Sequence, residues 1–582
     1  MEARCPLNDF EFDCLPDTLR RHQRDVGYTV KEFCKEDMAM PTRTRIGVIT
    51  NGSLTDGLTA RIDAHQSVEA LRVGQFLLVQ GIQHEFFAML TDVELAATSP
   101  SVLIDPPSDD PFLHDILVGT ATYGTVELRP SLMLPRDLSE GLRPVKTVPA
   151  HFSPVYEADE SDFTRVFGQE DATHFEIGRP LDMDVPICID LNRLVERSNG
   201  VFGKSGTGKS FLTRLLLSGT IKAGVAANLI FDMHSEYASD ASSEGGGFVK
   251  GLRKIFGPSV RIYTLDAEST NRRGAQFDQE IRIGLNEIEV EDILLLQDEL
   301  NLNATAAESA YRIADRFGEG WLKALLDMTP DAIQQFADDT GTHYGSLSAL
   351  KRKLETLKRR GYVAEHTNGS VINTLIDELL AKHHVVLEFG RFDNTIDYML
   401  VANIITRKIH AKWRERTEKY LTSKDKSDKP TQLVITIEEA HKFLNPAAAK
   451  QTIFGTIARE MRKYSVTLLV VDQRPSSIDS DVMSQLGSRV TALLNDEKDI
   501  DAVFTGVSGS NALRTVLATL DSKQQCLILG HAVPMPVVVR TRAYDELFYQ
   551  AMMSGSMPPL TTNMSPSIPA RAGTVADLFG DD

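Results

Sequence analysis

The residues Gly203-Lys204-Ser205-Gly206-Thr207-Gly208-Lys209-Ser210 match the pattern GxxxxGK[ST] in full. They follow a short β-prone run, NGVFGK, and precede the amphipathic stretch FLTRLLLSGTIKAG. The spacing therefore predicts a strand, a phosphate-binding loop and a helix in succession. In such a turn, glycines let successive backbone N–H groups face inward, and the helix adds its positive N-terminal end. The chemistry expected is binding of ATP with Mg2+: Lys209 reaches the β- and γ-phosphates, and the Ser210 hydroxyl meets the metal. A chance glycine-rich turn is the alternative reading, and the full match in this context weighs against it.

Such a loop needs carboxylates at the end of a second strand. LVITIEEAHKF supplies them, with Glu438 and Glu439 directly after the apolar run 433–437. The first carboxylate orders Mg2+ through its water shell, and the second polarises the attacking water as a base. Many such sites carry Asp where this chain has Glu438, one methylene longer. Two acids capping the next helix would be the alternative. Downstream, VTLLVVDQRPSS places Gln473 at the end of a further apolar run. There it can reach the γ-phosphate and the attacking water from a strand lying between the acidic and phosphate strands, the alternative being a strand-ending Gln in the turn before Pro475.

The elements that must position these groups read as an α/β core. Strands are predicted at 199–204, 226–232, 384–389, 431–439, 466–473 and 488–495, with near-continuous apolar runs suited to a parallel sheet buried on both faces. Ahead of it, RIGVIT, LTARI, VGQFLLVQG, EFFAMLTDVEL and TATYGTVEL are short strand candidates separated by turn residues, the texture of a small β-barrel. The division expected is an N-terminal arm over 1–40, a barrel over 41–155 and a first core segment over 156–284. A helical insertion follows over 285–382, including VEDILLLQDELN and LSALKRKLETLKRRG. A second core segment covers 383–552 and ends in a hairpin, CLILG with PVVVRT. The stretch 553–582 has the composition of a disordered tail, with Leu578–Phe579 as a candidate docking pair.

Composition limits what the chain can bind. Its 582 residues carry 81 acidic against 62 basic side chains, a net charge of −19. Nucleic acid could therefore meet only a segregated basic surface such as a lined channel. Two basic runs are candidates, 350–360 and 407–429, although a charge run is more often a solvated face. No apolar run reaches the ~18–20 residues of a membrane span, and the N-terminus lacks a secretion signal. Cys5, Cys14, Cys34, Cys188 and Cys526 have neither disulfide nor zinc spacing. These features predict a cytoplasmic protein.

GKSGTGKS, FDMHSEY (231–237), IEEAHKF (437–443), IAREMRKYSVTLLVVDQRPSSI (457–478) and the barrel segments GVIT and VGQF together resemble the HerA branch of the HerA/FtsK motor ATPases. The likeness covers most of 45–545, and the Glu438-Glu439 pair occurs in that branch. It implies a RecA-like P-loop ATPase core behind a HAS-barrel-like domain, assembled as a homo-hexamer around double-stranded DNA. The implied activity is that of a helicase or translocase working with a NurA-like nuclease, or with a sirtuin-like or nuclease-like effector, in DNA repair or antiviral defence. It assigns Arg462 as an arginine finger given to the neighbouring subunit's nucleotide, with Arg459 as the competing assignment. Both are expected on one helix after the acidic strand. Gly203 through Phe211, together with Arg197, form the implied nucleotide-contacting set. Asp232, His234 and Glu236 match the branch's acidic strand end, where a structural or interface role is expected ahead of a metal site. An ATP-bound scaffold for a toxic effector, without processive translocation, is the competing function. A conjugation- or secretion-type pump is a third, weakened by the lack of a membrane segment.

Overall fold

Five stretches between Arg45 and Pro135 pair edge to edge: β1 (Arg45–Ser53), β2 (Gly57–Ile62), β3 (Phe76–Gln80), β4 (His84–Ala97) and β5 (Thr122–Pro135). The computed structural model describes residues 43–99, 116–117, 120–135, 141–242, 248–367, 370–450, 452–507, 511–521 and 524–554. The expected N-terminal arm, and the expected tail beyond residue 554 with its Leu578–Phe579 pair, lie outside these. The chain divides into two units, the first ending at Asp159 and the second holding everything from Glu160 onward.

The first unit is a closed barrel. A sixth strand, β6 (Pro154–Glu157), joins the five in the order β2-β1-β6-β3-β4-β5, and β5 returns to β2. Sequence pattern ended the barrel at residue 155 and listed no strand here, because four residues of mixed character carry too little periodicity. Its pairing is nonetheless definite, with Pro154 opposite Val48 and Tyr156 opposite Leu78. Closure leaves these six strands no open edge. On β2 alternation sets the inside, with Leu58, Ala60 and Ile62 all buried. At the β1–β2 hairpin Gly57 has φ +101, and a Cβ there would lie 2.9 Å from the Leu128 carbonyl oxygen.

The second unit is built on a twelve-stranded sheet. Its strands are β7 (His174–Arg179), β8 (Ile187–Asp190), β9 (Asn199–Phe202), β10 (Ala227–Asp232), β11 (Val260–Thr264), β12 (His384–Glu388), β13 (Leu433–Ile437), β14 (Val466–Asp472), β15 (Ser488–Thr491), β16 (Gln525–Gly530) and β17 (Val537–Thr541), plus a two-residue edge at Gln279–Glu280. The spatial order from that edge is β11-β12-β10-β13-β14-β9-β15-β16-β17-β7-β8. Pairing is parallel from the edge as far as β15 and antiparallel beyond it. Every residue of β9, β10, β12, β13, β14 and β15 is buried, as a sheet covered on both faces requires. Cys188 and Cys526 are buried free thiols of this sheet.

Helices fill the chain between β11 and β12, including α2 (Tyr344–Lys358), while α1 (Lys209–Ala223) precedes β10. VEDILLLQDELN does not form the single helix its apolar residues suggest. The helix covers only Val290–Leu294, and the chain then turns through Asn301 at φ +48. After β12 comes α3 (Thr395–Ser423), capped by Asn394, whose side chain accepts from Asp397 N, and closed by Lys424 in left-handed backbone.

Candidate nucleotide site

β9 ends at Phe202 and α1 starts at Lys209, so the glycine-rich loop spans the gap between the sheet's edge and a helix N-terminus. Gly206 (φ +77) and Gly208 (φ +90) take backbone angles that a side chain would strain. A Cβ on Gly203 would meet Thr207 Oγ1 at 2.7 Å and Ala492 Cβ at 2.9 Å. The loop is braced from both sides: Thr207 Oγ1 donates to the Lys204 carbonyl at 2.7 Å, and Lys204 N donates to the Leu493 carbonyl at 3.1 Å. Lys204, Ser205, Gly206 and Gly208 are exposed, while Ser210 and Phe211 are half-buried. Lys209 Nζ donates to the Lys204 carbonyl at 3.1 Å. Burial draws the Lys209 ammonium below its usual pKa, against the pull of Glu439, Asp472, Glu438 and Glu236 nearby. The result is a cation on the phosphate loop with four carboxylates nearby.

β13 lies two strands from β9, with β14 between them, so the ends bearing Glu438 and Gln473 share the phosphate loop's edge of the sheet. Glu438 is buried, and its Oε1 accepts from the Tyr237 hydroxyl at 2.8 Å. Tyr398 grips the same residue's backbone, its hydroxyl donating to the Glu438 carbonyl at 3.0 Å and accepting from Glu438 N at 3.1 Å. Glu438 Oε2 is buried without a protein partner. Burial, with Asp232 and Glu236 close by, pushes this carboxyl well above the ordinary range. Its unpartnered oxygen, together with the Ser210 hydroxyl on the phosphate loop, offers oxygen donors of the kind Mg2+ takes. Among the described residues no three His, Cys, Asp or Glu side chains are grouped to hold a metal by themselves. Mg2+ sites commonly use one or two carboxylates and complete the shell with phosphates and water.

Glu439 has φ +47 and is only part-buried. Its Oε1 accepts from Gln473 Nε2 at 3.0 Å, and its Oε2 lies 3.6 Å from His441 Nδ1. The structure thus brings Lys209, Glu438, Glu439 and Gln473 into one cluster. Sequence pattern missed Tyr237, Tyr398, His441 and Asp472, which hold that cluster in place. Tyr237 closes the FDMHSEY motif, and Asp472 and His441 each lie within two residues of a group already singled out.

Other expected residues fall elsewhere. Asp232 is fully buried, and its carboxylate accepts from the backbone N–H groups of Glu236 and Tyr237 at 2.8 Å each. It shapes the turn after β10, and burial lifts its pKa to about 7. His234 is exposed beside Ser235 at φ +57, and the Glu236 carbonyl accepts from the Arg214 guanidinium. Arg459 and Arg462 do not share one helix. α4 (Ile453–Glu460) ends before Arg462, which lies on the single 3-10 turn Met461–Tyr464, because the chain must tighten through Ser465 at φ +61 to enter β14. The Arg459 guanidinium donates to the Ala449 carbonyl of its own chain. Arg197 precedes β9 at the end opposite the loop, with its stem against Gly487. The four residues of β9, ~13 Å at ~3.3 Å per residue, separate it from Gly203, so within this chain it does not join the cluster.

Many side chains of the basic runs are paired within the chain. On α2, Lys351 and Lys353 donate to the Met328 and Asn301 carbonyls, and Arg360 just beyond it pairs with buried Asp397 at 3.0 Å. On α3, Arg407 pairs with buried Asp292 at 2.8 Å and Lys412 with Glu415 at 2.9 Å. Among the described residues, no helix is long and apolar enough to cross a membrane.

A family model described as the central domain of helicase HerA matches residues 175–409. The DNA double-strand break repair helicase HerA of Pyrococcus furiosus is 24% identical over 432 residues, covering 68% of this chain and 73% of that one. The protein of the same name from Sulfolobus acidocaldarius is 23% identical over 519 residues, covering 89% and 96%. Among solved structures, VirB4 of Thermoanaerobacter pseudethanolicus aligns over 64% of this chain and 98% of its own at 15% identity, with a TM-score of 0.39.

Proposed function

We propose that this chain is a HerA-like, ATP-hydrolysing enzyme that works as a homo-hexameric ring, translocates on double-stranded DNA and drives a partner nuclease or effector. The observation that carries the reading is the meeting of Lys209, Glu438, Glu439 and Gln473 at one edge of a parallel sheet. The strand order, with the Gln473 strand between the phosphate and acidic strands, supports a RecA-like core. Lys209 binds the β- and γ-phosphates. Ser210 and Glu438 would hold Mg2+, which when bound neutralises charge on the phosphates. Glu439 takes the proton of the attacking water, and Gln473 orients that water against the γ-phosphate. Arg462 of the neighbouring subunit stabilises the transition-state charge, with Arg459 as the competing donor; mixing Arg462→Ala with Glu439→Gln subunits should restore turnover only where an intact pair meets.

DNA as the track is supported by the relatives named as double-strand break repair helicases. With a net charge of −19, the duplex must thread a locally basic channel and not coat the outer surface. We place the enzyme in the cytoplasm, with a NurA-like, sirtuin-like or nuclease-like partner, in DNA end processing or anti-phage defence. The test is titration of the assembled ring with duplex DNA across a salt series, alongside ATPase rates. Binding should be indifferent to sequence, fall steeply with salt and stimulate hydrolysis. No binding at low salt, with the ring assembled and any co-purifying partner present, would overturn the translocase reading.

A further inference from the structure

Asp472 closes β14, one residue before Gln473, and is only 1% exposed. Its Oδ2 accepts from His441 N at 2.7 Å and from His441 Nδ1 at 3.0 Å, and its Oδ1 accepts from Arg474 N at 2.7 Å. His441 begins the short helix that follows Glu438-Glu439. One buried carboxylate therefore ties the turn bearing Glu439 to the strand end bearing Gln473. The same two segments meet again at Glu439, whose carboxylate lies between Gln473 Nε2 at 3.0 Å and His441 Nδ1 at 3.6 Å.

Glu439 itself sits at φ +47, a backbone region that a residue with a side chain keeps only where its surroundings over-determine it. The bonds around it do so. Ala440 N donates to the Val471 carbonyl at 3.4 Å, His441 N to Asp472, and Lys442 N to the Glu439 carbonyl at 2.9 Å. Two of these three anchors lie on the last residues of β14. Without the Asp472 bonds, the turn could relax toward ordinary helical angles and carry the Glu439 carboxylate away from Gln473.

We propose that Asp472 and His441 form a positioning clamp, which fixes Glu439 in its left-handed conformation and sets its carboxylate against Gln473, so that the ends of β13 and β14 act as one unit during hydrolysis. The clamp rests on the reading of Glu439 as the water-activating base. Neither Asp472 nor His441 touches the reacting atoms; both act through Glu439.

The test uses the full chain, with steady-state ATPase kinetics, titration with a fluorescent ATP analogue and thermal melting on each variant. His441→Ala should lower kcat by about tenfold or more, the scale of a misplaced catalytic group, while KM and analogue affinity stay near the parent values. His441→Asn, whose amide N–H stands close to the lost Nδ1–H, should recover most of that loss. The double variant His441→Ala with Gln473→Ala should lose less than the product of the two single losses, because both side chains hold the same Glu439 carboxylate besides Gln473's own contact with the water. Asp472→Asn keeps the side chain's shape and weakens its acceptance from His441. It should show the same kcat-selective loss, and it carries the test if the alanine variant does not melt cooperatively. A parental kcat in His441→Ala or Asp472→Asn would overturn the clamp, as would full additivity in the double variant or a rise in KM matching the fall in kcat. Glu439→Gln runs beside them. If it turns over at the parental rate, the base assignment fails and the clamp with it; if it is inactive while His441→Ala keeps the parental kcat, the clamp alone fails.

Discussion

Two parts of the second unit bury carboxylates, and they bury them differently. Where α3 meets the helical stretch before β12, Asp292 is fully buried. One of its oxygens accepts from Asn403 Nδ2 at 2.8 Å and Arg407 Nε at 3.3 Å, the other from Glu289 N at 2.9 Å and an Arg407 terminal nitrogen at 2.8 Å. At the phosphate loop, Glu438 is also buried, yet one of its oxygens has no protein donor. A buried charge that is paired and hydrogen-bonded on every side holds elements together. One left with a free lone pair costs the fold unless a ligand, ion or water completes it. Burial of acid is common to both regions, and the accounting of donors separates architecture from chemistry.

The largest effects should come from the incomplete cluster. Lys209→Ala removes the cation from the phosphates and should abolish both analogue binding and turnover. Glu439→Gln should bind the analogue normally while hydrolysis falls by about a hundredfold or more, as for loss of a general base. Equal loss of binding in both would merge roles that are distinguished here. The complete cluster should answer in stability instead. Arg407→Ala leaves Asp292 without its ion pair and should cost about 3 kcal/mol in denaturant unfolding, with KM for ATP unchanged in the folded fraction. A catalytic defect without that loss would break the contrast.

Tyr237→Phe sharpens it. The variant deletes one hydrogen bond to Glu438, worth about 1 kcal/mol, and should raise the Mg2+ concentration needed for half-maximal ATPase by a few-fold while the melting point moves little. An unchanged Mg2+ titration would take Glu438 out of the metal site. Least of all, Lys412→Ala breaks only an exposed pair with Glu415 and should shift stability by less than ~0.5 kcal/mol. Should it lower DNA-stimulated ATPase but not the basal rate, that face of α3 would have to be read as facing DNA.

What could be read from sequence was local. The phosphate loop depends on eight consecutive residues, and Glu438, Glu439 and Gln473 each follow a buried apolar run that marks a strand end by itself. The residues that were missed act across distance in the chain. Tyr237 reaches Glu438 from 201 positions away and Tyr398 from 40, and neither tyrosine carries a local sign of doing so. β7, β8 and β11 were missed for a related reason: each is short, and β7 mixes charge with apolar residues, so its place comes from its partners and not its pattern. The split between Arg459 and Arg462 was hidden because the helical pattern continues past the point where Ser465 forces the turn. Arg197 shows the opposite failure, since twelve positions before Lys209 in sequence is the far end of a strand in space.

The sheet order also sets a timetable for the nascent chain. β9, which carries the phosphate loop, has as neighbours β14 and β15, and Gly200 pairs with Val470 on one side and Arg489 on the other. Neither neighbour exists until the ribosome has added well over two hundred residues beyond the loop, an interval of roughly ten seconds or more at ~5–20 residues per second. Until then the amides of the loop have no frame to hold them, and ATP has no site through which to favour the folded form. The apolar strands β9 and β10 are therefore made before any of their sheet partners, β12 to β15. A stalled chain ending before Thr491 should bind no ATP, however intact its glycine-rich loop.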